Sequence, residues 1–384
     1  MKIRLKEFDQ NIAKLFSGTA IAQLISFISL PIIAKQYGPS EYGIYGGFVA
    51  ATSILGILST GKYELAIVIS NKRSEVEALI NLSFHINFII CFLIAVLVVT
   101  LPMHTLNWLF GIDTNNRLIF LIIPLLTYLI GTFQVLNYSL VREKKFTTLS
   151  INKILRSSLF GLFAITMGFF LQKAQNIAIA LTVSYLLSNI FLRIKVREYY
   201  VNTNTLLNTE WIGIIKNVSK KYYNFPLYTL PSEFMNVVCT QLPVFVFLLA
   251  FSTTESGYFS FILMTLNIPI SLLANAVLDV FKEKAARDYR ETGSCRNAYL
   301  ETLKKMIILS ILPFVTIFLI GDDLIRLLFG SQWIGAIEFL DIMLVMFFFK
   351  FISSPLTYIF FIVERQKEDF FWHVYILLTN ILVL

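Results

Sequence analysis

Charge is what this sequence has least of. Asp, Glu, Lys and Arg make up 15% of its 384 residues, while 57% are hydrophobic. An ordinary soluble domain is roughly 25% charged and 45–50% apolar. So few charges could not cover the apolar surface of a chain this long in water, which excludes a soluble fold. The high apolar content excludes disorder. Cysteine is scarce as well. Cys91, Cys239 and Cys295 are scattered and show no CxxC spacing, so a disulfide scaffold is excluded. With three His and no HExxH or Cys/His cluster, a structural zinc site is not expected. No GxxxxGK[ST] loop is present, so it carries no ATPase of its own.

What is present is apolar sequence in long runs. A membrane span needs about 20 mostly apolar residues. Ten stretches qualify, at 12–35, 43–69, 77–101, 118–140, 153–172, 176–192, 223–251, 257–281, 303–321 and 336–362, and an eleventh begins near Phe370. Strand-length segments of alternating polarity are absent, and backbone groups must be satisfied within the lipid. The fold class is therefore an all-α polytopic membrane protein. The basic start, MKIRLKEFDQNIAK, has no small-residue cleavage site after it and reads as the flank of a retained first span. The last run, Phe370 to Leu384, is shorter than a full crossing and reads as a chain cut within its eleventh helix, or as a half-span held by its neighbours.

The net charge of +8 belongs to loops, which gives no reason to invoke nucleic acid. With the N-terminus placed in the cytoplasm, 26 of the 32 Lys and Arg fall on inside segments and 4 outside, with Lys62 and Lys350 within spans. Lys153 and Arg156 are counted here as inside residues, with Arg156 snorkelling to the interface. Trp108, Trp211, Trp333 and Trp372 fall near span ends, as in an interfacial belt. The longest inside segment divides the chain into a six-helix part at 1–200, a linker at 201–222 and a second part at 223–384 with about five helices. Outside loops are short and leave little room for an extracytoplasmic catalytic domain.

Candidate functional residues are those that a lipid environment penalises. In YYNFPLYTLPSEFMNVVCTQLPVFVFLL, Pro226, Pro231 and Pro243 each remove a backbone donor, and Ser232, Glu233, Asn236 and Gln241 lie among them. Interrupted helices with polar residues line cavities in transporters, although proline kinks also serve packing. Glu233 and Lys350 have similar expected depth and opposite charge, which predicts a pair across a cavity; a structural ion pair is the alternative. Lys62 and Glu64, just after Gly61, either face that cavity or snorkel. Asp279 reads as snorkelling, His85 and Asp341 as packing residues, and Glu338 as interfacial.

Several segments resemble known sequences. PIIAKQYGPSEYGIYG, KYELAIVISNKRSEVEALINLS, FPLYTLPSEFMNVVCTQLPVF, ESGYFSFILMTLNIPISLLANAVLDVF and LFGSQWIGAIEFLDIML are similar, in order, to the Wzx-type O-antigen and polysaccharide flippases. That family belongs to the superfamily that also holds MATE exporters and the lipid II flippase. The resemblance implies two six-helix lobes around a central cavity. It also implies movement of undecaprenyl-diphosphate-linked oligosaccharide across the bacterial inner membrane by alternating access, ion-coupled (H+ or Na+) or passive, without enzyme chemistry. The expected partners are the lipid-linked oligosaccharide, membrane lipids and other polysaccharide-assembly proteins. Competing readings are a membrane enzyme of glycan assembly, which would carry a large outer loop, and a MATE-type small-molecule exporter.

Overall fold

The computed structural model of the chain describes residues 2–70, 72–112, 114, 116–200, 209–363 and 365–383. Among these there are helices and turns but no strand. α1 (Lys2–Leu58) bends in its middle, and a 3-10 turn then leads to the short α2 (Ala66–Ile69). α3 (Arg73–Thr100), α4 (Met103–Phe110), α5 (Arg117–Arg142), α6 (Phe146–Phe170), α7 (Ala174–Arg197) and α8 (Thr209–Lys221) follow. A π-turn at Phe225–Thr229 opens α9 (Leu230–Ala250). α10 (Thr253–Pro269) runs through a second π-turn into α11 (Asn275–Thr292), and α12 (Arg296–Phe329), α13 (Ala336–Ser353), α14 (Ile359–Ile362) and α15 (Gln366–Val383) complete the chain.

Among the described residues, seven helices are long and apolar enough to cross a membrane by length and composition. The protein is a multi-span membrane protein, and its surface agrees with that. Leu312, Phe318 and Leu319 on α12 and Ile342 and Phe349 on α13 are exposed, an apolar band that water would not tolerate. The first two predicted spans are the two arms of α1. They meet at Gly38, whose φ of 73° and ψ of 167° are non-helical. Glycine adopts that backbone without a Cβ clash, and Pro39 is pre-set for the first turn of the next arm. Residues 201–208, the start of the expected linker, lie outside the described residues, as do the side chains of 1–16, Trp211 and Asp279.

Three predicted boundaries shift. The second span ends at Leu58 instead of near 69. The sixth, expected over only 176–192, is a 24-residue helix. The fifth starts at Phe146, so Lys153 and Arg156 sit seven and ten residues inside α6 and not at its inner end. The hydropathy of a window falls where cations stand, but the backbone has no reason to leave the helix there.

The N-terminal arm of α1 packs on α6. Tyr37 Oη donates to Ala164 O at 2.7 Å, and the Ser26 and Ser157 hydroxyls lie 3.4 Å apart. The second arm crosses to α9 and α10. At the end of the molecule that holds the Gly38 bend, contact reaches backbone on backbone. A Cβ on Gly257 of α10 would stand 1.9 Å from Pro39 O, and one on Gly43 would stand 1.9 Å from Thr253 O. Around this approach Tyr42, Phe261, Phe329 and Trp333 form a buried aromatic cluster, with ring centroids 4.3 Å apart for Phe261–Trp333 and 4.6 Å for Phe261–Phe329. Each such pair contributes about 0.5–1.5 kcal/mol beyond area burial. Trp333 is therefore a buried core residue whose indole N–H donates to Ala34 O at 2.9 Å, and not part of an interfacial belt. Trp108 and Trp372 are exposed, as a belt requires. The Gln332 side-chain amide adds bonds to Ala34 O and Lys35 O, and Ser40 and Thr253 hydroxyls meet at 2.8 Å.

The opposite end carries most of the basic residues. There α8 lays Ile214, Ile215 and Val218 against a cluster that includes Ile67, Val76 and Leu79. Lys221, at its end, reaches both oxygens of Glu75 at 2.9 and 2.8 Å, and that carboxylate holds the ammonium charged above the ordinary lysine range. Tyr63 Oη donates to Ser219 O at 3.3 Å, which ties α8 to the turn described next.

Candidate functional site

After Leu58 the chain leaves the helix in the sequence Ser59-Thr60-Gly61-Lys62. Gly61 and Lys62 are both left-handed, each with φ of 62°. Glycine accepts this freely, but a residue with a Cβ in that region carries strain of order 1–3 kcal/mol and stays there only if its surroundings hold it. They do hold Lys62. Its side chain is 6% exposed, and its Nζ lies 2.6 Å from Glu233 Oε2 and 3.8 Å from Glu64 Oε1. Glu64, in the 3-10 turn Tyr63–Leu65, is buried. Neither of its oxygens finds a hydrogen-bond donor in good geometry among the described residues. Two carboxylates thus share one ammonium.

Glu233 belongs to α9, where the effect of the three prolines can be separated. Pro226 sits in the π-turn Phe225–Thr229, Pro231 occupies the first turn of α9, and the helix runs on through Pro243. Only the first of the expected interruptions is a departure from α-helix. A proline in the first turn lacks a donor that would have had no intrahelical partner in any case. From Glu233, whose side chain is 40% exposed, Asn236 and Thr240 follow at helical spacing and are both exposed. Gln241 is half-buried beside them. Sequence reading missed Thr240, although its position seven residues after Glu233 was a usable signal.

Lys350 does not pair with Glu233. Its Nζ lies 3.3 Å from Asn267 Oδ1 and 4.9 Å from the centroid of the Phe347 ring. The Asn267 amide donates to Leu263 O at 2.7 Å, which turns Oδ1 toward the lysine. Depth along a helix fixes height but not azimuth, and α13 packs on α10 and α12. His85 is satisfied within its own helix, with Nδ1 2.6 Å from Asn81 O. Asp341 and Glu338 are exposed.

A second charged group escaped sequence reading. Arg156 on α6 does not snorkel. Its guanidinium carbon lies 4.7 Å from the ring centroids of both Phe133 on α5 and Tyr185 on α7. One turn earlier, Lys153 Nζ donates to Thr19 Oγ1 at 2.9 Å. No residue in the chain marks Phe133 and Tyr185 as partners of Arg156, because the three come from three helices.

A groove of about 350 Å³ runs between the N-terminal arm of α1, α10 and α12. Leu24, Phe27, Ile262, Ile317 and Leu324 are among the side chains lining it, and Gln23 and Thr265 are its polar exceptions.

Residues 32–338 match the family described as "Polysaccharide biosynthesis protein". No curated protein sequence is a significant match. Among solved structures, an inward-facing multidrug resistance MATE family transporter of the MOP superfamily superposes with a TM-score of 0.65 at 16% identity, over 92% of this chain and 84% of that one. A MOP superfamily transporter from Pyrococcus furiosus, whose binding pocket is described as reversed in polarity, gives 0.54 at 17% over 95% and 84%. An outward-facing MATE family transporter gives 0.53 at 17%, also over 95% and 84%. The chain shares their fold.

Proposed function

The chain belongs to the polysaccharide biosynthesis protein family, and from that premise we propose that it is a flippase. Its cargo is an oligosaccharide carried on undecaprenyl diphosphate, an O-antigen or capsule repeat unit, moved across the bacterial inner membrane by alternating access. The observation that carries this reading is the side-by-side occurrence of charge and grease. Lys62, Glu64 and Glu233 lie between the α1 turn and α9, Lys350 lies on α13, and a groove lined almost wholly by apolar side chains opens between α1, α10 and α12. A polar headgroup needs partners to enter hydrocarbon, and a lipid tail needs none.

In this mechanism 1–200 and 223–384 act as two lobes. The backbone approach of Gly43 to Thr253 and of Gly257 to Pro39 closes the periplasmic end, while the basic end faces the cytoplasm, as does the N-terminus. Lys62 exchanges Glu233 for the anionic cargo, and Asn236, Thr240 and Gln241 supply hydrogen bonds to the sugar. Two carboxylates on one ammonium leave the set acidic, so Glu64 and Glu233 are suited to take up a coupling cation, H+ or Na+. The work is transport, with no bond made or broken. The test is complementation of a flippase-null strain, read as surface polysaccharide. Restored glycan supports the reading. Drug resistance without surface glycan would transfer the protein to the small-molecule exporters.

A further inference from the structure

Pro39 carries no N–H, so the carbonyl four residues before it, Lys35 O, has no donor in its own helix. The donor comes from far along the chain. Gln332 lies in the 3-10 turn Ser331–Trp333 between α12 and α13. Its side-chain amide donates to Lys35 O at 3.0 Å and to Ala34 O at 3.2 Å. The next residue, Trp333, is fully buried and donates its indole N–H to the same Ala34 O at 2.9 Å. Lys35 returns the contact, its Nζ donating to Leu327 O at 3.4 Å in the last turn of α12, where carbonyls lack helical partners. Each side thus caps a helix end of the other. Gln332 also lies over the bend itself, since a Cβ on Gly38 would stand 3.4 Å from its Oε1.

All of these bonds join residues 34–35 to residues 327–333, so they cross from one lobe to the other, and none survives a parting of the lobes at this end. What they leave behind decides how that parting occurs. Once Gln332 withdraws, Lys35 O cannot turn to its own helix, because Pro39 has nothing to donate. Ala34 O and the Trp333 N–H, sealed in the core while the seam is shut, need new partners as well. A buried polar group left unpaired costs more than the net worth of the bond it lost. The seam therefore opens only as water enters it. Gln332 is exposed and Trp333 buried, so water reaches the amide first and the indole last.

We propose that Gln332 and Trp333 are the latch of this end of the protein, positioning residues that set how often the lobes part there without touching cargo. This assignment rests on the two-lobe mechanism of the flippase reading and extends it. The glycines at 43 and 257 allow the close approach; the amide and the indole hold it. Gly38-Pro39 supplies the carbonyl that the latch takes, so the bend in α1 and the α12–α13 turn form one device.

The test counts openings by the rate at which a maleimide labels Ser260→Cys in nanodiscs, where the reagent meets both faces and no cargo is present. Ser260 is buried, faces Gly46 across the seam and has a hydroxyl without a hydrogen-bond partner among the described residues, so the exchange removes no bond. Cys91, Cys239 and Cys295 are replaced by alanine throughout. At low reagent the rate follows the equilibrium population of the open form. Gln332→Met keeps the length of the side chain and loses both donations; it should speed labelling severalfold, the effect of two hydrogen bonds at an exposed site. Trp333→Phe loses a buried donor and should speed labelling about tenfold. Gln175→Met, whose amide meets Asn116 within the first lobe, should leave the rate unchanged. Ser83→Cys and Ser310→Cys, buried inside the first and second lobes, report general loosening and should label no faster in any variant. Gln332→Met carries the test should Trp333→Phe fail to fold. An unchanged rate at position 260 in Gln332→Met overturns the latch, and equal acceleration at 83 or 310 overturns it too, because loosened packing would then account for the effect. No arm depends on transport. A chain that complements the null strain while Gln332→Met labels at the parent rate would sink this inference and leave the flippase reading standing; faster labelling in a chain that fails to complement would do the reverse.

Discussion

Replacing Gly257 by alanine tests the contact on which closure of one end depends. The added Cβ would stand 1.9 Å from Pro39 O, 2.7 Å from Pro39 C and 3.2 Å from Gly43 N. Carbon and carbonyl oxygen meet at about 3.3 Å, so α10 and the α1 bend must part by about 1.4 Å. No rotamer change relieves the clash, because every atom it meets is backbone. Overpacking costs about 1–3 kcal/mol where side chains can adjust. A backbone obstacle belongs at the top of that range, and about 3 kcal/mol is roughly a hundredfold in an equilibrium constant. The Ser40 and Thr253 hydroxyls, 2.8 Å apart across the same seam, provide the readout. With both changed to cysteine, and the three buried native thiols replaced by alanine, the equilibrium of the new disulfide against glutathione measures the approach. Gly257→Ala should lower that constant about a hundredfold. Gly213→Ala on α8, whose Cβ meets nothing within 4 Å, should leave it unchanged. A Gly257→Ala protein within twofold of its parent would refute the claim that backbone contact closes this end.

Other consequences can be checked separately. A double-mutant cycle on Lys62→Met and Glu233→Gln, read by denaturant unfolding, should give a coupling of about 1 kcal/mol. One partner is nearly buried and the other 40% exposed, so the value belongs near the surface-pair range; zero coupling would remove the pair. Lys350→Ala should reduce glycan export without preventing membrane insertion, and wild-type export would take Lys350 out of the proposed site. A cysteine at position 290 should react with impermeant maleimide only from the cytoplasmic side; labelling from outside would invert the topology. The Lys221–Glu75 tie should persist to unusually high pH. A lysine whose folded pKa is raised contributes fully below its ordinary value of 10.5 and loses that contribution as pH rises through the folded value. A spin label at position 213 on α8 should therefore report α8 release at higher pH in wild type than in Lys221→Met, where α8 is already loosened; identical profiles would count against the tie.

Much of the molecule was legible because one rule governs it. Hydrocarbon leaves no water for backbone groups, so runs of apolar residues become helices wherever they are long enough. Each of the ten stretches read from composition is helical over most of its length, and Gly38-Pro39 places the first turn. The second arm of α1 was less legible. Tyr63, Leu65 and Ala66 to Ile69 continue the apolar pattern, yet two left-handed residues stop the helix at Leu58. Gly61 was a visible cue, but Lys62 in the same conformation was not. It is held there by Glu233, more than 170 residues away along the chain.

The sequence by itself determined that the protein spans a membrane as helices, where those helices run, and which polar residues lie at depths where lipid penalises them. These follow from composition and spacing, which are local. Tertiary structure alone decided the partners: Glu233 with Lys62 and not Lys350, Trp333 in the core and not at the interface, Arg156 against the rings of Phe133 and Tyr185. Periodicity says how far along a helix a side chain sits. Which way it faces a neighbour depends on how the helices pack, and that is set by contacts between residues remote in the chain.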